Sequence, residues 1–446
     1  MFRLLELVTE LGPLSATEAA LRLGVEPLTV SRQARALGSK LLTLGRGKAT
    51  RYAAPAATLA RAAQSPLHWI DAAGSVQEFA TISHVAPDHT HVYGHGLGIG
   101  INLTARSDYP WFLTPLKLRG YLGRAARFRL GAIVQNWDTH PERWTLAQQL
   151  FASQSSVLDH AGAILIGDDS LAAWQRSLAQ SPYPDDEATL AKGYDQLAHD
   201  AMSGRVAGSS ADGEQPKFST RIVDKQGNVR EVLVKFSPPR GTPFGERWND
   251  LLHAEHIAAN VLRDHGFAVP NTRIVCSEKR TYFESERIDR IGATGRRHLL
   301  PLYAVHAAFN PGVQQHWGSS IAQLAAQKRI AYDAVATTQT LYAFGQLIGN
   351  TDMHFGNLGV IVESPQEIAK GRFTLAPCYD MLPMRFSPGA HSDLEYTHFE
   401  ASLSAALPGQ VSKGAQAIAQ TFWFRVSVLA HVSAKLQEFA CAQISR

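Results

Sequence analysis

Apolar residues recur three and four apart through "MFRLLELVTEL", residues 1–11, and the pattern stops at Gly12-Pro13. A second helical segment, "SATEAALRLG", opens with Ser15 and Glu18 at capping-box spacing and closes on Gly24. A third, "PLTVSRQARALGS", starts at Pro27 and ends on a glycine, and "LLTLGRGKATRYAA" predicts two short strands around the turn "GRGK". Three helices and a hairpin are the order of a winged helix-turn-helix over residues 1–55, with residues 27–37 as recognition helix and the hairpin as wing.

Residues 56–200 are predicted as a second unit. Strand-like pieces ("EFATISHVA", "HTHVYGHGLGIGINL") lead through "YPWFLTPLKLRGYLGRAAR" into helices, and "SPYPDDEATLAKGYDQLAHD" reads as a linker and one helix. His84, His89, His91 and His95 crowd the strand pair. Their irregular spacing, with only Asp88 for company, predicts a surface hairpin rather than a metal site. Over residues 201–290 alternation dominates: "KFSTRIV", "VREVLVKF", "TRIVCSE" and "RTYFESERID" are strands around one helix, "ERWNDLLHAEHIAANVLRDHG". Residues 291–446 are mainly helical, with a hairpin predicted from "LGVIVE" and "GRFTLAPCYD". The expected class is α+β, a strand-rich lobe preceding a helix-rich one.

Composition narrows the partners. Residues 27–70 contain no acid but carry Arg32, Arg35, Lys40, Arg46, Lys48, Arg51 and Arg61, which points to an anionic partner, nucleic acid first. Thr29, Ser31, Arg32 and Arg35 are predicted to face a major groove, with Arg46 and Lys48 near phosphates. Three separated cysteines suggest a reducing compartment. The acids within the first apolar run argue against a signal peptide, and no uncharged run reaches the ~18 residues of a membrane span. The expected location is the cytoplasm, without membrane contact.

Candidate chemistry gathers in "GNTDMHFGNLG", residues 349–359. Turn formation accounts for Gly349, Asn350, Thr351 and Gly356. It does not account for Asp352 and Asn357, which have the spacing of the catalytic Asp and metal-binding Asn of a protein-kinase catalytic loop. Asp380, in "PCYDMLP", stands where a kinase places its other metal-binding Asp. These hard oxygens suit Mg²⁺; a transition-metal site from Asp352, His354 and Asp380 is the alternative. Lys235 ends an apolar strand and requires an anion or a route to solvent. Glu255, in the following helix, is its candidate partner, and the loop "GSSADGEQPK" could cradle phosphates.

"SADGEQPK", "SERIDR", "NTDMHFGN" and "YDMLP", in this order over residues 200–446, resemble the HipA family of toxin-type serine/threonine kinases. "PWFLTPLKLRGYLGR" resembles part of that family's N-terminal subdomain, and the fused helix-turn-helix is similar to its YjjJ-like branch. The resemblance implies a two-lobed protein-kinase-like fold that uses ATP and Mg²⁺. It makes Asp352 the catalytic base, with His354 orienting its loop, and Asn357 and Asp380 the Mg²⁺ ligands. Lys235 would contact phosphates, the backbone at Glu286 and Ile288 would hold adenine, and Asp289 would lie near the ribose. Ser210, within a pattern shared with Gly213, Gln215 and Lys217, matches a regulatory autophosphorylation serine, and the adjacent Ser209 leaves two candidates. Implied partners are DNA, a protein substrate from the translation machinery and an antitoxin in trans. The competing reading is a DNA-binding regulator, or a DNA-acting enzyme, whose kinase-like domain senses nucleotide or binds metal without phosphorylating protein.

Overall fold

A computed structural model describes residues 2–444 apart from 57–58, 60–61, 96–98, 156–158, 203–214, 313–315, 389–394, 402 and 404–406. Helices α1 (Phe2–Leu11), α2 (Ala16–Leu23) and α3 (Pro27–Leu37) are followed by strands β1 (Leu42–Leu44) and β2 (Arg51–Ala53), which pair antiparallel. The Ser15–Glu18 capping box forms reciprocally, and Gly24 ends α2 in the left-handed conformation. Val30, Ala34 and Leu37 turn one face of α3 into a small core shared with Leu4, Val8 and Tyr52.

The next sheet has the order β6-β5-β4-β3-β7, formed by β3 (Gln64–Ile70), β4 (Val76–Val85), β5 (His89–Gly94), β6 (Asn102–Arg106) and β7 (Ile164–Ile166). Helices α4 (Gly120–Leu130), α5 (Leu146–Ser153) and α6 (Asp168–Ser177) belong to the same stretch of chain, with α5 and α6 packed on the sheet. The histidine-rich pair is the predicted hairpin, but it is not at the surface. His84, His89 and His91 are buried, with Gly12 of the first unit against the His89 ring. The winged unit docks there through Ala86 N–H to Ala54 O, 2.9 Å, and Ala56 N–H to His84 O, 3.1 Å.

The segment read as a linker contributes β8 (Tyr183–Pro184), and helix α7 (Glu187–Met202) follows. β8 runs parallel to β9 (Lys217–Val223). With β10 (Val229–Phe236), β11 (Thr272–Cys276) and β12 (Thr281–Glu286) they make a sheet of order β11-β12-β10-β9-β8. Leu190, Tyr194 and Ala198 of α7 fill its core against Phe218, Val232 and Tyr282. Helix α8 (Pro243–Asp264) lies between this sheet and the helical lobe. That lobe contains helices Trp317–Ala326, Asp333–Ile348, Gly409–Ser427 and Ala434–Ile444. The hairpin predicted near residue 360 is interrupted: Gly359–Val362 pairs with Thr374–Leu375 across helix Pro365–Lys370 and also pairs with His298–Pro301.

The largest core runs unbroken from Phe79 and Val92 through Phe112 and Leu116 to Ala254, Trp317 and Phe344, so the middle sheet and helical lobe share one interior. A buried ionic cluster ties the same parts together. Arg287 and Arg290 both pair with Asp159 and Asp289, and Arg290 Nε reaches Glu231 Oε2 at 3.0 Å. Among the described residues no helix is long and apolar enough to cross a membrane.

Removing one partner from such a cluster leaves buried charge uncompensated, at a cost of about 3–5 kcal/mol. Asp159→Ala should therefore lower the urea midpoint by that free energy. Burial raises the Asp159 pKa, but Arg287, Arg290 and Arg296 outweigh it and hold the group far below the ordinary carboxylate value. The stabilisation is thus present above the unfolded carboxylate pKa and is lost only as pH falls below it. Equal urea midpoints for variant and parent at neutral pH would refute this account.

Candidate active site

A cleft opens between the five-stranded lobe and the helical lobe. Leu233, Lys235 and Lys217 line it from the sheet, Glu255 from α8, and Glu286, Ile288 and Asp289 from the connection between lobes. Asn357, Tyr379 and Asp380 close it from the helical lobe. The middle unit also contributes: Thr114, Lys117 and Arg119 line the same space. Sequence reasoning assigned these three no role. Their signals were the family-like segment "PWFLTPLKLRGYLGR" and an acid-free stretch, residues 109–137, with five basic side chains among apolar ones.

Lys235 is buried, with its Nζ 2.6 Å from Glu255 Oε1 and in contact with Asp380 Oδ1. Burial disfavours its charge, but Asp380 and Glu255 outweigh burial and hold its pKa above the ordinary lysine value. The two carboxylates are not equivalent. Burial raises the Asp380 pKa, yet Lys235 and Lys217 bring it below the usual value. Glu255 has one oxygen, Oε2, buried without a hydrogen-bond partner, and burial pushes its pKa up to about 7 despite Lys235.

The loop at 350–357 is fixed by its own polar groups. Asn357 Nδ2 donates to the Asp352 carbonyl at 2.7 Å and to Asp352 Oδ2 at 3.2 Å. Asn350 Oδ1 accepts from Asp352 N, 3.0 Å, while its Nδ2 donates to the Asp380 carbonyl, 3.2 Å. Asp380 has φ 57°, a left-handed conformation costing a non-glycine residue about 1–3 kcal/mol. Asp352 is half-exposed and is not among the residues that line the cleft; Asn357, which lines it, joins the two, and Asp352 Oδ1 lies 3.5 Å from His354 Nε2. His354 supports the loop. Its Nδ1 accepts from Gly356 N–H, 2.9 Å, and its carbonyl accepts from the indole N–H of buried Trp317, 3.0 Å.

Among the described residues no three His, Cys, Asp or Glu side chains are grouped to hold a metal, so the transition-metal alternative loses its ligand set. Asn357 and Asp380 line one cleft. A two-ligand set matches Mg²⁺, which keeps water and takes substrate phosphate as its other ligands. Gln215 precedes β9 and is half-buried, with Nε2 unpartnered. Ser209, Ser210 and Gly213 lie outside the described residues. Asp289 lines the cleft, and its carboxylate accepts from Arg287, Arg290 and the Gly162 N–H (2.8 Å), so the side chain also belongs to the ionic cluster.

On the winged unit, Arg32, Arg35, Arg46 and Lys48 are exposed, and Thr29 is half-buried. Ser31 is half-buried. Its hydroxyl donates to Pro27 O at 3.2 Å and accepts from Tyr52 OH at 3.3 Å, which ties it to the wing. Arg51 is paired with Glu18 at 3.0 Å and withdraws from the basic face.

The family model of the HipA-like C-terminal domain matches residues 209–437, and that of the YjjJ-like toxin middle domain matches residues 61–175. Toxin YjjJ of Escherichia coli (strain K12) is 34% identical over 423 residues, covering 93% of this chain and 90% of that protein. A chain from the solved complex of the Shewanella oneidensis MR-1 toxin–antitoxin system HipA, HipB and its operator DNA aligns with TM-score 0.51 at 14% identity. That alignment covers 85% of this chain and 95% of that one, and shows a shared fold. The chain belongs to the HipA-like family, among its YjjJ-like toxins.

Proposed function

We propose that the chain is a toxin-type serine/threonine protein kinase that transfers the ATP γ-phosphate to a protein hydroxyl and binds DNA through residues 1–55. The observation that carries the reading is the convergence of Lys235, Glu255, Asn357 and Asp380 on one cleft, with Asp352 hydrogen-bonded to Asn357. Glu255 sets the position of the Lys235 ammonium, which then neutralises nucleotide phosphate. The connection at Glu286 and Ile288 offers backbone groups to adenine. Asn357 spends its amide nitrogen on Asp352, so its carboxamide oxygen is the atom it can offer Mg²⁺, beside the carboxylate of Asp380. The bound ion would neutralise charge developing on the transferred phosphoryl group.

Asp352 orients the substrate hydroxyl and accepts its proton, because it is the half-exposed carboxylate next to the cleft-lining Asn357, where a protein side chain can reach it. Lys117 and Arg119 place positive charge along the cleft wall. Ser210 or Ser209 is the proposed site of autophosphorylation. A substrate in the translation machinery and an antitoxin in trans complete the proposal. DNA binding rests on the exposed cations of α3 and the wing in an acid-free stretch.

Asp352→Ala should reduce phosphate transfer by about 100- to 10,000-fold, the usual worth of a positioned acid–base group. Melting temperature should hold, since the side chain is half-exposed. Intact mass after incubation with ATP and Mg²⁺ reads this directly: phosphate additions on the parent and none on the variant. Equal additions on both would exclude the assignment. Expression of the variant should also relieve growth arrest.

For DNA, log affinity should fall with log salt by roughly 0.9 per phosphate contact. Arg46→Ala and Lys48→Ala should each flatten that slope by about 1 and weaken all sequences alike. A flat slope for the parent protein would remove the DNA half of the proposal and leave the kinase half standing.

A further inference from the structure

Three side chains form one outward stripe along α3. Leu28, Arg32 and Arg35 are spaced four and three apart, which aligns them on a single helix face. The opposite face is the buried one, carrying Val30, Ala34 and Leu37. Leu28 is 62% exposed although it belongs to a helix whose other leucine, Leu37, is buried. A single exposed leucine is ordinary on a protein surface. Its place is what distinguishes Leu28: the first turn of the third helix, one turn ahead of Arg32, within a stretch that lacks acids from residue 27 to residue 70.

We infer that Leu28 reads the C5-methyl group of a pyrimidine in the major groove, thymine in the first instance, and is a specificity-determining residue of the winged unit. The inference rests on the DNA-binding reading above and deepens it. A recognition helix contacts base edges with its N-terminal residues. The major groove presents one apolar group, the methyl of thymine, and apolar side chains meet it there. Leu28 supplies that contact at the leading end of α3, while Arg32 and Arg35, farther along the same stripe, reach guanine edges or phosphates. The division explains why an apolar side chain stays in solvent amid cations: in the free protein it covers nothing, and its partner is a base. Ser31, already held by Pro27 and Tyr52, leaves this reading to Leu28 and Arg32.

Leu21, 86% exposed, and Val25 lie on the adjoining end of α2 and the turn after it. An apolar surface for a protein partner would use Leu21 together with Leu28, whereas base reading needs Leu28 alone. The full-length protein should first select its preferred duplexes from a random-sequence library. Each thymine of the selected duplex is then replaced singly by uracil, which lacks only the methyl. One position should weaken binding by about fourfold, the factor carried by burying one methyl-sized group. Leu28→Ala should bind the parent duplex about fourfold more weakly and be indifferent to uracil at that position. Leu21→Ala should bind and discriminate as the parent does.

A uniform response to uracil, or a Leu28→Ala variant that still senses it, would overturn the inference while leaving DNA binding intact. Failure to enrich any duplex would instead defeat the DNA-binding reading beneath it. If Leu21→Ala and Leu28→Ala alter sedimentation alike and leave base preference unchanged, the patch docks protein and the inference fails. A parallel selection from duplexes carrying 5-methylcytosine separates the two sources of the methyl. Leu28-dependent binding found only there would move the assignment from thymine to methylcytosine.

Discussion

Taking the ammonium of Lys235 out of water costs on the order of several kcal/mol unless carboxylates meet it, and this requirement organises both kinase-like lobes. β10 alternates toward a buried end, so its last side chains cannot reach solvent. Glu255 comes to Lys235 from α8 and Asp380 comes from the helical lobe, so one buried charge draws three elements to a common point. The cost is only partly met. One ammonium serves two carboxylates, Asp380 takes the larger share with help from Lys217, and Glu255 keeps an unpartnered oxygen and a raised pKa. The carboxylate of Asp380 thus faces a cleft whose walls also carry Lys217, Lys117 and Arg119, so oxygen ligands for a divalent cation lie beside positive charge for its phosphates.

A second buried cluster performs the corresponding task for the middle unit. Arg287, Arg290 and Arg296 occupy or follow the connection between the lobes, while Asp159 reaches them from 128 or more residues earlier in the chain. The guanidiniums bridge carboxylates in several directions at once, a geometry a lysine could not reproduce. The connection that carries Glu286 and Ile288 is thereby pinned from outside the kinase-like lobes. The middle unit is thus part of the wall of the cleft, through Lys117 and Arg119, and part of its frame, through Asp159.

How far the sequence could be read depended on how local each feature is. The Ser15–Glu18 cap and the limits of α3 follow from signals within one helix, and both appear where expected. The Asp352–Asn357 spacing is likewise local: five residues bring the amide of Asn357 onto Asp352. Lys235 and Glu255 could be paired only through a family resemblance, since nothing in either segment encodes the other. The cluster around Asp159 was invisible, because a carboxylate in a loop carries no periodic signal of arginines far along the chain. The exposure of the histidine hairpin was misjudged for the same reason. Its strands were legible, but part of its cover is Gly12, in the turn after α1, with Leu44 and Ala53 of the β1–β2 hairpin, from another part of the sequence.

The two joints of the chain differ in strength, and the difference bears on how the N-terminal unit and the kinase-like lobes can act within one polypeptide. The middle sheet shares a continuous apolar core with the helical lobe and adds the buried ionic cluster. The winged unit meets the middle sheet through a few backbone hydrogen bonds and a small contact of Leu44, Ala53 and Val85. Apolar burial scales with area, so the first joint resists separation far more than the second. A load or a competing partner acting on the winged unit would release the small joint while the cleft kept its frame. Coupling from DNA to the cleft would therefore have to pass through β4 and β5, whose buried histidines touch the winged unit on one side. On the other side lies the large core that also carries Phe112 and Leu116, beside the cleft-lining Thr114.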